Sequence, residues 1–272
     1  MDRKTLIGEI KKKKSFLCIG LDTDETLMPP AIAHFPDAIF EFNKRIIDAT
    51  HHLCVSYKLN TAFYEAMGTR GWHAMERTAN YIPSTHFKIA DAKRGDIGNT
   101  SSKYAKAFFE MMNFDAITVA PYMGEDSIRP FLDYDDKWTI VLALTSNKGA
   151  ADFELQPSGN QFLFEKVIET SKQWGNADNM MYVVGATRAE QLQQVRKLIP
   201  EHFLLVPGVG AQGGSLKEVA LHGMNAECGL LVNSSRNIIY ASSEKDFAEA
   251  ASEASKAIQQ EMEILLKAKG LS

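Results

Sequence analysis

The residues best suited to chemistry lie in the segment FKIADAKRGDIGNT, from Phe87 to Thr100. Asp91, Lys93 and Asp96 fall within six residues, directly after an apolar run. Side chains alternate along a strand, so Asp91 and Lys93 should share one face. Opposite charges at short range hold each other ionised, and a fixed ammonium can stabilise developing negative charge and then supply a proton. The segment therefore predicts a carboxylate and an ammonium side by side over a pocket.

Other apolar runs also end in polar residues, which sequence analysis places near the same site. These residues are Asp22, Lys58, Asn60, Thr145, Ser146, Asn233, Ser234 and Ser235, with Arg236 following. A purely structural interpretation is that the charges form buried ion pairs that only hold the fold together, although such pairs often add little stability. Two lysines and three aspartates at strand ends are hard to explain by packing alone, so we interpret them as functional.

The elements that position these residues are eight short apolar runs, separated by stretches with helical spacing. The runs cover residues 15–22, 55–60, 87–93, 115–121, 138–146, 180–186, 203–209 and 229–235. Alternating strands and helices predict parallel pairing with right-handed crossovers. Eight repeats favour a closed (β/α)8 barrel, in which catalytic groups sit at the carboxyl ends of the strands. An open, doubly wound sheet is the alternative. No linker-like segment divides the chain, so we expect one domain over residues 1–272.

One helix between the runs has a clear apolar face. The stretch 99–112 places Tyr104, Phe108 and Met111 on one side, with residues 99–101 as candidate N-caps. This helix directly follows the charged segment.

The segment after the seventh run suggests a phosphate site. It reads PGVGAQGG, residues 207–214, and its glycines let the backbone approach a ligand closely. Arg236, after the eighth run, can clamp an anion, and these two loops commonly bind phosphate in such barrels. The string also matches a dinucleotide fingerprint, but the acidic residue at the required spacing, Glu227, precedes a strand rather than ending one. We therefore predict phosphate rather than dinucleotide.

Composition excludes several classes of protein. The chain has 272 residues and a net charge of −4, which argues against a general nucleic-acid binder. The one basic run, Lys11–Lys14, indicates a solvated helix end. No apolar run approaches the roughly 20 residues of a membrane span, and the N-terminus lacks the features of a signal peptide. Cys18, Cys54 and Cys228 predict buried free thiols in a reducing compartment such as the cytoplasm.

Together, these segments resemble the orotidine 5′-phosphate decarboxylase family, in its longer-chain branch, over nearly the whole chain. The most specific element is Asp-x-Lys-x-x-Asp, here DAKRGD. It is reinforced, in order, by GLD at Asp22, YKLN at Lys58, PGVGAQGG and the Arg236 segment. Magnesium-dependent sugar-phosphate decarboxylases and aldolases share the short motif and are the alternative. They resemble one another in carrying an acidic residue at the end of the second strand, where this chain has Lys58.

The resemblance implies a homodimer of barrels that converts orotidine 5′-phosphate to UMP and CO2 with no metal or organic cofactor. It implies that Lys93 is the proton donor to C6 of the pyrimidine. Asp91 would lie beside the substrate carboxylate. Lys58 would link the charged residues to the ribose.

The resemblance also implies binding roles for further residues. Asp96, Ile97 and Thr100 would enter the partner's pocket, Asp22 would bind a ribose hydroxyl, Thr145 and Ser146 would meet the pyrimidine edge, and Gln212, Ser235 and Arg236 would meet the phosphate. Many members have Gly where this chain has Ser235. The long segment 147–161 is a candidate lid over the pyrimidine.

Overall fold

Ten strands are present in the computed structural model, which describes residues 1–185, 189–208 and 215–271. They are β1 (Leu17–Gly20), β2 (Ser56–Asn60), β3 (Phe87–Arg94), β4 (Ala116–Val119), β5 (Trp138–Leu144), β6 (Pro157–Ser158), β7 (Gln161–Phe162), β8 (Met180–Val184), β9 (Phe203–Pro207) and β10 (Leu230–Ser234). Eight of them close a parallel barrel in the order β1, β2, β3, β4, β5, β8, β9, β10. Each predicted run contains one barrel strand, so the (β/α)8 prediction is confirmed and the open sheet is excluded.

Helices cover the barrel on the outside. They are α1 (Arg3–Lys13), α2 (Ala38–Thr50), α3 (Thr61–Glu65), α4 (Thr69–Tyr81), α5 (Gly98–Lys106), α6 (Glu125–Leu132), α7 (Leu163–Ser171), α8 (Ala189–Leu198), α9 (Leu216–Gly223), α10 (Arg236–Ile239) and α11 (Phe247–Ala268). Within the described ranges, no helix is both long and apolar enough to cross a membrane.

The strands are buried on both faces, which explains their nearly continuous apolar sequences. Every residue of β1, β4 and β8 is buried, because side chains of opposite orientation meet either the barrel interior or the surrounding helices. Cys18, Cys54 and Cys228 are buried free thiols, as predicted.

The helix after the charged segment differs from its prediction. After Lys106 the chain forms a π-helical turn over Ala107–Met111. This wider turn shifts the apolar face by one residue, because each of its hydrogen bonds spans five residues instead of four. Phe108 is buried as predicted, but Met111 is 66% exposed, and Met112 is buried instead. The prediction for Met111 was therefore wrong.

The basic run ends α1, as predicted, but not all of it is solvated. Lys11, Lys12 and Lys14 are exposed. Lys13 turns inward, and its Nζ donates to the carbonyl oxygens of His51 (3.0 Å) and Cys54 (2.9 Å).

Candidate active site

Four charged side chains form one alternating chain across the carboxyl ends of β1, β2 and β3. Lys58 Nζ lies 3.4 Å from Asp22 Oδ1 and 2.9 Å from Asp91 Oδ2, and Lys93 Nζ lies 2.6 Å from Asp91 Oδ1. Strand register explains this order, because Lys58 pairs with Gly20 on one side and Asp91 pairs with Asn60 on the other. We call these four residues the charge array.

Burial and charge act against each other in the charge array. The Lys58 side chain is only 5% exposed. Burial alone would lower its pKa, but the carboxylates of Asp91 and Asp22 outweigh burial and hold the pKa well above its ordinary value. For Asp91, burial alone would raise the pKa, but the ammonium groups of Lys58 and Lys93 hold it well below the ordinary value. Both side chains are therefore ionised at neutral pH.

A local irregularity in β3 positions Lys93. β3 pairs regularly with β4 up to Ala90 and Ile117, and pairing resumes only at Arg94 and Val119. Three residues of β3 thus stand opposite Thr118 alone, and Lys93 has a left-handed backbone with φ of 48°. Thr118 Oγ1 accepts from the Lys93 N–H (2.9 Å) and donates to Asp91 Oδ1 (3.0 Å). Sequence analysis missed Thr118, whose only signal is a hydroxyl within an aliphatic strand.

Arg94, which completes the run of charges in the sequence, does not join the charge array. Its guanidinium pairs with Glu65 of α3 and lies over the ring of Tyr104, 5.3 Å from the ring centre. It therefore ties the end of β3 to the helices outside the barrel.

Three residues of the charge array, Asp22, Lys58 and Asp91, line a cavity of about 240 Å³. Its lining residues come from the ends of β1, β2 and β3 on one side and of β9 and β10 on the other: Asp22, Lys58, Asn60, Asp91, Pro207, Gly208, Asn233, Ser234, Ser235 and Arg236. Of the residues predicted to act in catalysis, Lys58 and Asp91 thus share one cavity with Ser235 and Arg236, which were predicted to bind phosphate, whereas Lys93 and Asp96 do not line it. Gln212 and the last three glycines of PGVGAQGG lie outside the described residues.

Arg236 places a cation at this cavity. It is exposed, and it forms no ion pair with any residue that the structure describes. Ser235, beside it, donates its hydroxyl to Gly20 O at 2.9 Å. A Cβ added at Gly20 would lie 2.8 Å from Ser235 Cβ, so this close approach of β1 requires glycine. The serine at this position therefore anchors the loop to β1.

Thr145 and Ser146 follow β5, as predicted, but neither lines this cavity. The carboxylate of Glu154, from the candidate lid, accepts from the Thr145 N–H at 2.6 Å and from its hydroxyl at 2.9 Å. The same segment forms a 3₁₀ turn over Lys148–Asp152 and the β6–β7 hairpin. The candidate lid is thus an ordered element fastened to the end of β5 by Glu154, a residue that sequence analysis did not single out.

Asp96, Ile97 and Thr100 do not line the cavity of their own chain. Asp96 Oδ1 accepts from the Ile97 N–H at 2.7 Å, and Ile97 is 59% exposed. Helix α5 begins directly after Ile97, without a side-chain cap, so the N-cap prediction for residues 99–101 was wrong. Instead, Ser101 Oγ accepts from the Asp96 N–H at 3.1 Å and fixes the turn.

None of the described residues forms a cluster of three or more His, Cys, Asp or Glu side chains that could hold a metal ion. The donor set at the cavity is instead mixed, with the Lys58 ammonium between the carboxylates of Asp22 and Asp91. This arrangement suits a ligand that carries both anionic groups and hydroxyls.

Comparisons with known proteins agree with this geometry. The family described as "Orotidine 5'-phosphate decarboxylase / HUMPS family" matches residues 15–251. The chain is 57% identical to a protein named orotidine 5'-phosphate decarboxylase from Bacteroides fragilis, over 272 residues that cover 98% of this chain and 99% of the relative. It is 58% identical to a protein of the same name from Christiangramia forsetii, over 265 residues that cover 96% of this chain and 97% of the relative.

Solved structures show the same likeness. The OMP decarboxylase of Leishmania donovani superposes with a TM-score of 0.80 at 37% identity, covering 96% of this chain and 99% of that one. The UMP synthase of the same organism superposes with a TM-score of 0.83 at 39% identity, and this chain spans 57% of that longer protein. The chain therefore belongs to the orotidine 5′-phosphate decarboxylase / HUMPS family, as the order of its charged motifs predicted.

Proposed function

We propose that this protein decarboxylates orotidine 5′-phosphate to UMP and CO2, the last step of de novo UMP synthesis, without a metal or organic cofactor. The observation that carries the proposal is the charge array, in which Asp22, Lys58 and Asp91 share one cavity with Arg236 and Lys93 is paired with Asp91. Relatives that are 57–58% identical over nearly the whole chain carry the name of this enzyme.

Lys93 is proposed to stabilise the charge that forms in the reaction. Loss of CO2 from C6 leaves a carbanion in the plane of the pyrimidine ring, where no π-system spreads the charge. Preorganised positive charge is then the main means of stabilisation. Lys93 is held by Asp91 at 2.6 Å, yet its side chain is 49% exposed, so its remaining N–H groups are open to a ligand. It can therefore face C6 as the carbanion forms and deliver the proton afterwards.

The rest of the charge array is proposed to hold Lys93 and to bind the ribose. Asp91 is ionised because Lys58 and Lys93 keep its pKa low, and it is assigned to the position next to the departing carboxylate. Lys58 stays charged between two carboxylates and links the reacting end of the cavity to the ribose end. Asp22 lies at that end and is assigned to a ribose hydroxyl.

Arg236 is proposed to bind the phosphate, together with Ser235 and with Gln212 from the neighbouring loop. A guanidinium can bind phosphate through two parallel hydrogen bonds. The exposure of Arg236, and the absence of an ion-pair partner for it among the described residues, support this assignment. Binding energy gained at the phosphate, far from the reacting bond, can be used to order the loops around the pyrimidine, with Thr145 and Ser146 at its edge.

The functional unit is proposed to be a homodimer in which Asp96, Ile97 and Thr100 complete the pocket of the partner. Two features support this. These residues do not line the cavity of their own chain, and the neighbouring loop after β4 carries Tyr122, 90% exposed. The loops are adjacent, since a Cβ at Gly95 would lie 3.0 Å from Ala120 O. Exposed apolar side chains grouped in this way suit a protein interface. Three buried free thiols suit the reducing cytoplasm.

The alternative function is a magnesium-dependent decarboxylase or aldolase acting on sugar phosphates. The end of β2 argues against it, because Lys58 occupies the position where those enzymes carry an acidic residue, and this ammonium is bonded to two carboxylates. The names of the relatives do not support it either.

One assay separates the two functions. Purified protein is incubated with orotidine 5′-phosphate in EDTA, and UMP and CO2 are measured, with Lys93→Ala protein as the control. We expect full activity in EDTA and almost none in the variant. Activity that disappears in EDTA and returns with Mg²⁺, or turnover of sugar-phosphate substrates in its place, would refute the proposal.

A further inference from the structure

We propose that Thr118 is a positioning residue that holds Asp91 and Lys93 in their working arrangement. The inference rests on the proposed decarboxylase function, in which these two residues do the chemistry. Thr118 lies in β4 and is fully buried, so it cannot touch a substrate itself. Its influence must pass through the residues to which it is bonded.

The need for such a residue comes from the irregular pairing of β3 with β4. Asp91, Ala92 and Lys93 are the three residues between the two regular pairs, and only Thr118 stands opposite them. Lys93 adopts the left-handed backbone region, with φ of 48°, which residues other than glycine seldom occupy. A strained conformation of this kind persists only where the surrounding structure holds it in place.

The Thr118 hydroxyl supplies a hydrogen-bond partner for a backbone N–H within the irregular segment and also binds the Asp91 carboxylate. In a bulge, the extra residues lose their regular backbone partners. The Lys93 N–H bonds to Thr118 Oγ1 instead, at 2.9 Å. The hydroxyl proton goes to Asp91 Oδ1 at 3.0 Å, and the same oxygen accepts from Lys93 Nζ at 2.6 Å. One hydroxyl thus closes a ring of hydrogen bonds that includes both ends of Lys93 and the carboxylate of Asp91.

The chemistry of the side chain makes the inference testable. A hydroxyl donates one hydrogen bond and accepts others, so serine can replace both bonds. Valine has nearly the same shape as threonine and can make neither. Thr118→Val should therefore release the Lys93 N–H and one bond to Asp91 while leaving the packing of β4 almost unchanged.

The chain offers a matched control on the adjacent strand. Thr139 of β5 is as fully buried as Thr118, and it pairs with Ile117, the residue before Thr118. Its Oγ1 has no hydrogen-bond partner among the described residues. Thr139→Val makes the same chemical change in the same barrel wall, but it breaks no bond to the charge array.

The experiment compares Thr118→Val, Thr118→Ser and Thr139→Val with the wild type. We expect Thr118→Val to lower kcat on orotidine 5′-phosphate by about tenfold or more, the effect of losing a hydrogen bond to a charged group, with KM changed by less than about threefold. Thr118→Ser and Thr139→Val should stay within about threefold of the wild type. Thermal unfolding verifies that each variant is folded, and Thr118→Ala replaces the valine variant if that one is not.

A second measurement does not depend on activity. Lys93 is half exposed, so an amine-reactive succinimidyl ester can label it, and mass spectrometry gives the labelling rate at this site. We expect faster labelling of Lys93 in Thr118→Val than in the wild type or in Thr139→Val. Equal effects of the two valine variants on kcat, or unchanged labelling of Lys93, would overturn the role of Thr118. Wild-type protein without decarboxylase activity would instead refute the proposed function, and the labelling rates would still decide whether Thr118 holds Lys93.

Discussion

Lys93 Nζ lies 2.6 Å from Asp91 Oδ1, although the Lys93 side chain is half exposed while that of Asp91 is almost buried. Asp91 is therefore the fixed, mostly buried member of the pair, and Lys93 is the accessible member. This asymmetry is what a proton donor requires, because its partner holds it in place while its free N–H groups meet the substrate.

Replacing Lys93 tests this assignment. Lys93→Ala should lower the single-turnover rate of decarboxylation by more than about a hundredfold, the low end of what a positioned proton donor contributes. UMP affinity should change little, because Lys58 and Arg236 remain. Lys4→Ala, which removes an exposed lysine from α1, is the control. A Lys93→Ala protein that keeps more than about a hundredth of the wild-type rate would show that another group donates the proton.

Replacing Arg236 tests the phosphate site. Arg236→Ala should lower kcat/KM for orotidine 5′-phosphate by roughly 10- to 100-fold, in line with the loss of a charge-assisted hydrogen bond. Orotidine without the phosphate should be used equally well, or equally poorly, by the variant and the wild type. An equal loss on both substrates would contradict the assignment.

Mixing two inactive variants tests whether Asp96 acts across a dimer interface. In a heterodimer of Lys93→Ala and Asp96→Ala subunits, the pocket of the Lys93→Ala subunit lacks its own Lys93 and also receives the altered residue 96 from its partner. The pocket of the Asp96→Ala subunit keeps its own Lys93 and receives an intact Asp96. Equal random mixing makes half of the dimers mixed, with one whole site in each, so about a quarter of wild-type activity should return. Subunit exchange must be verified by native mass spectrometry. If exchange occurs and activity stays absent, Asp96 serves its own subunit.

The buried imidazole of His86 predicts that acid destabilises the fold. His86 Nε2 lies 2.8 Å from Lys13 Nζ. Burial, and then the charge of Lys13, lower the pKa of His86 from its ordinary 6.5 to about 4. The unfolded chain therefore binds a proton below about pH 6.5 that the folded protein does not bind until about pH 4. This contribution to stability is fully present above pH 6.5 and is lost as the pH falls toward 4.

Urea unfolding of wild type and His86→Gln at pH 7.5 and pH 5 measures this contribution. Between pH 7.5 and pH 5, we expect the free energy of unfolding to fall by up to about 2 kcal/mol more in the wild type than in the variant. His73→Gln, at an exposed histidine of α4, should behave like the wild type. If His86→Gln loses as much stability as the wild type, titration of His86 does not contribute to acid unfolding.

Sequence patterns predicted the barrel and the charge array because both depend on simple regularities. Each barrel strand is buried on both faces and therefore appears as an apolar run. Lys58, Asp91 and Lys93 come together because the carboxyl ends of parallel strands meet at one rim of the barrel. No knowledge of distant contacts was needed to place these three residues on one rim.

The features that sequence analysis missed depend on contacts between distant segments or on local changes of register. Thr118 acts on residues 25 or more positions earlier through a bulge, and alternation along β3 gives no sign of a bulge. Glu154 reaches back nine residues to Thr145 from a segment with no regular pattern. The π-helical turn that exposes Met111 inserts one residue into a helical face, which an ideal period of 3.6 residues cannot anticipate.

The burial of Lys58 has a consequence for when the active arrangement comes into being. Its side chain is only 5% exposed, and its ammonium bridges carboxylates that follow β1 and lie on β3. These charges leave water when the strands close the barrel, and they need not turn or shed solvent when charge develops on a substrate. The reorientation and desolvation of these charged groups, which would otherwise slow each turnover, are therefore completed during folding. A molecule in which β1, β2 and β3 have separated, even slightly, keeps all four residues of the charge array but not the field that their proposed roles in catalysis require.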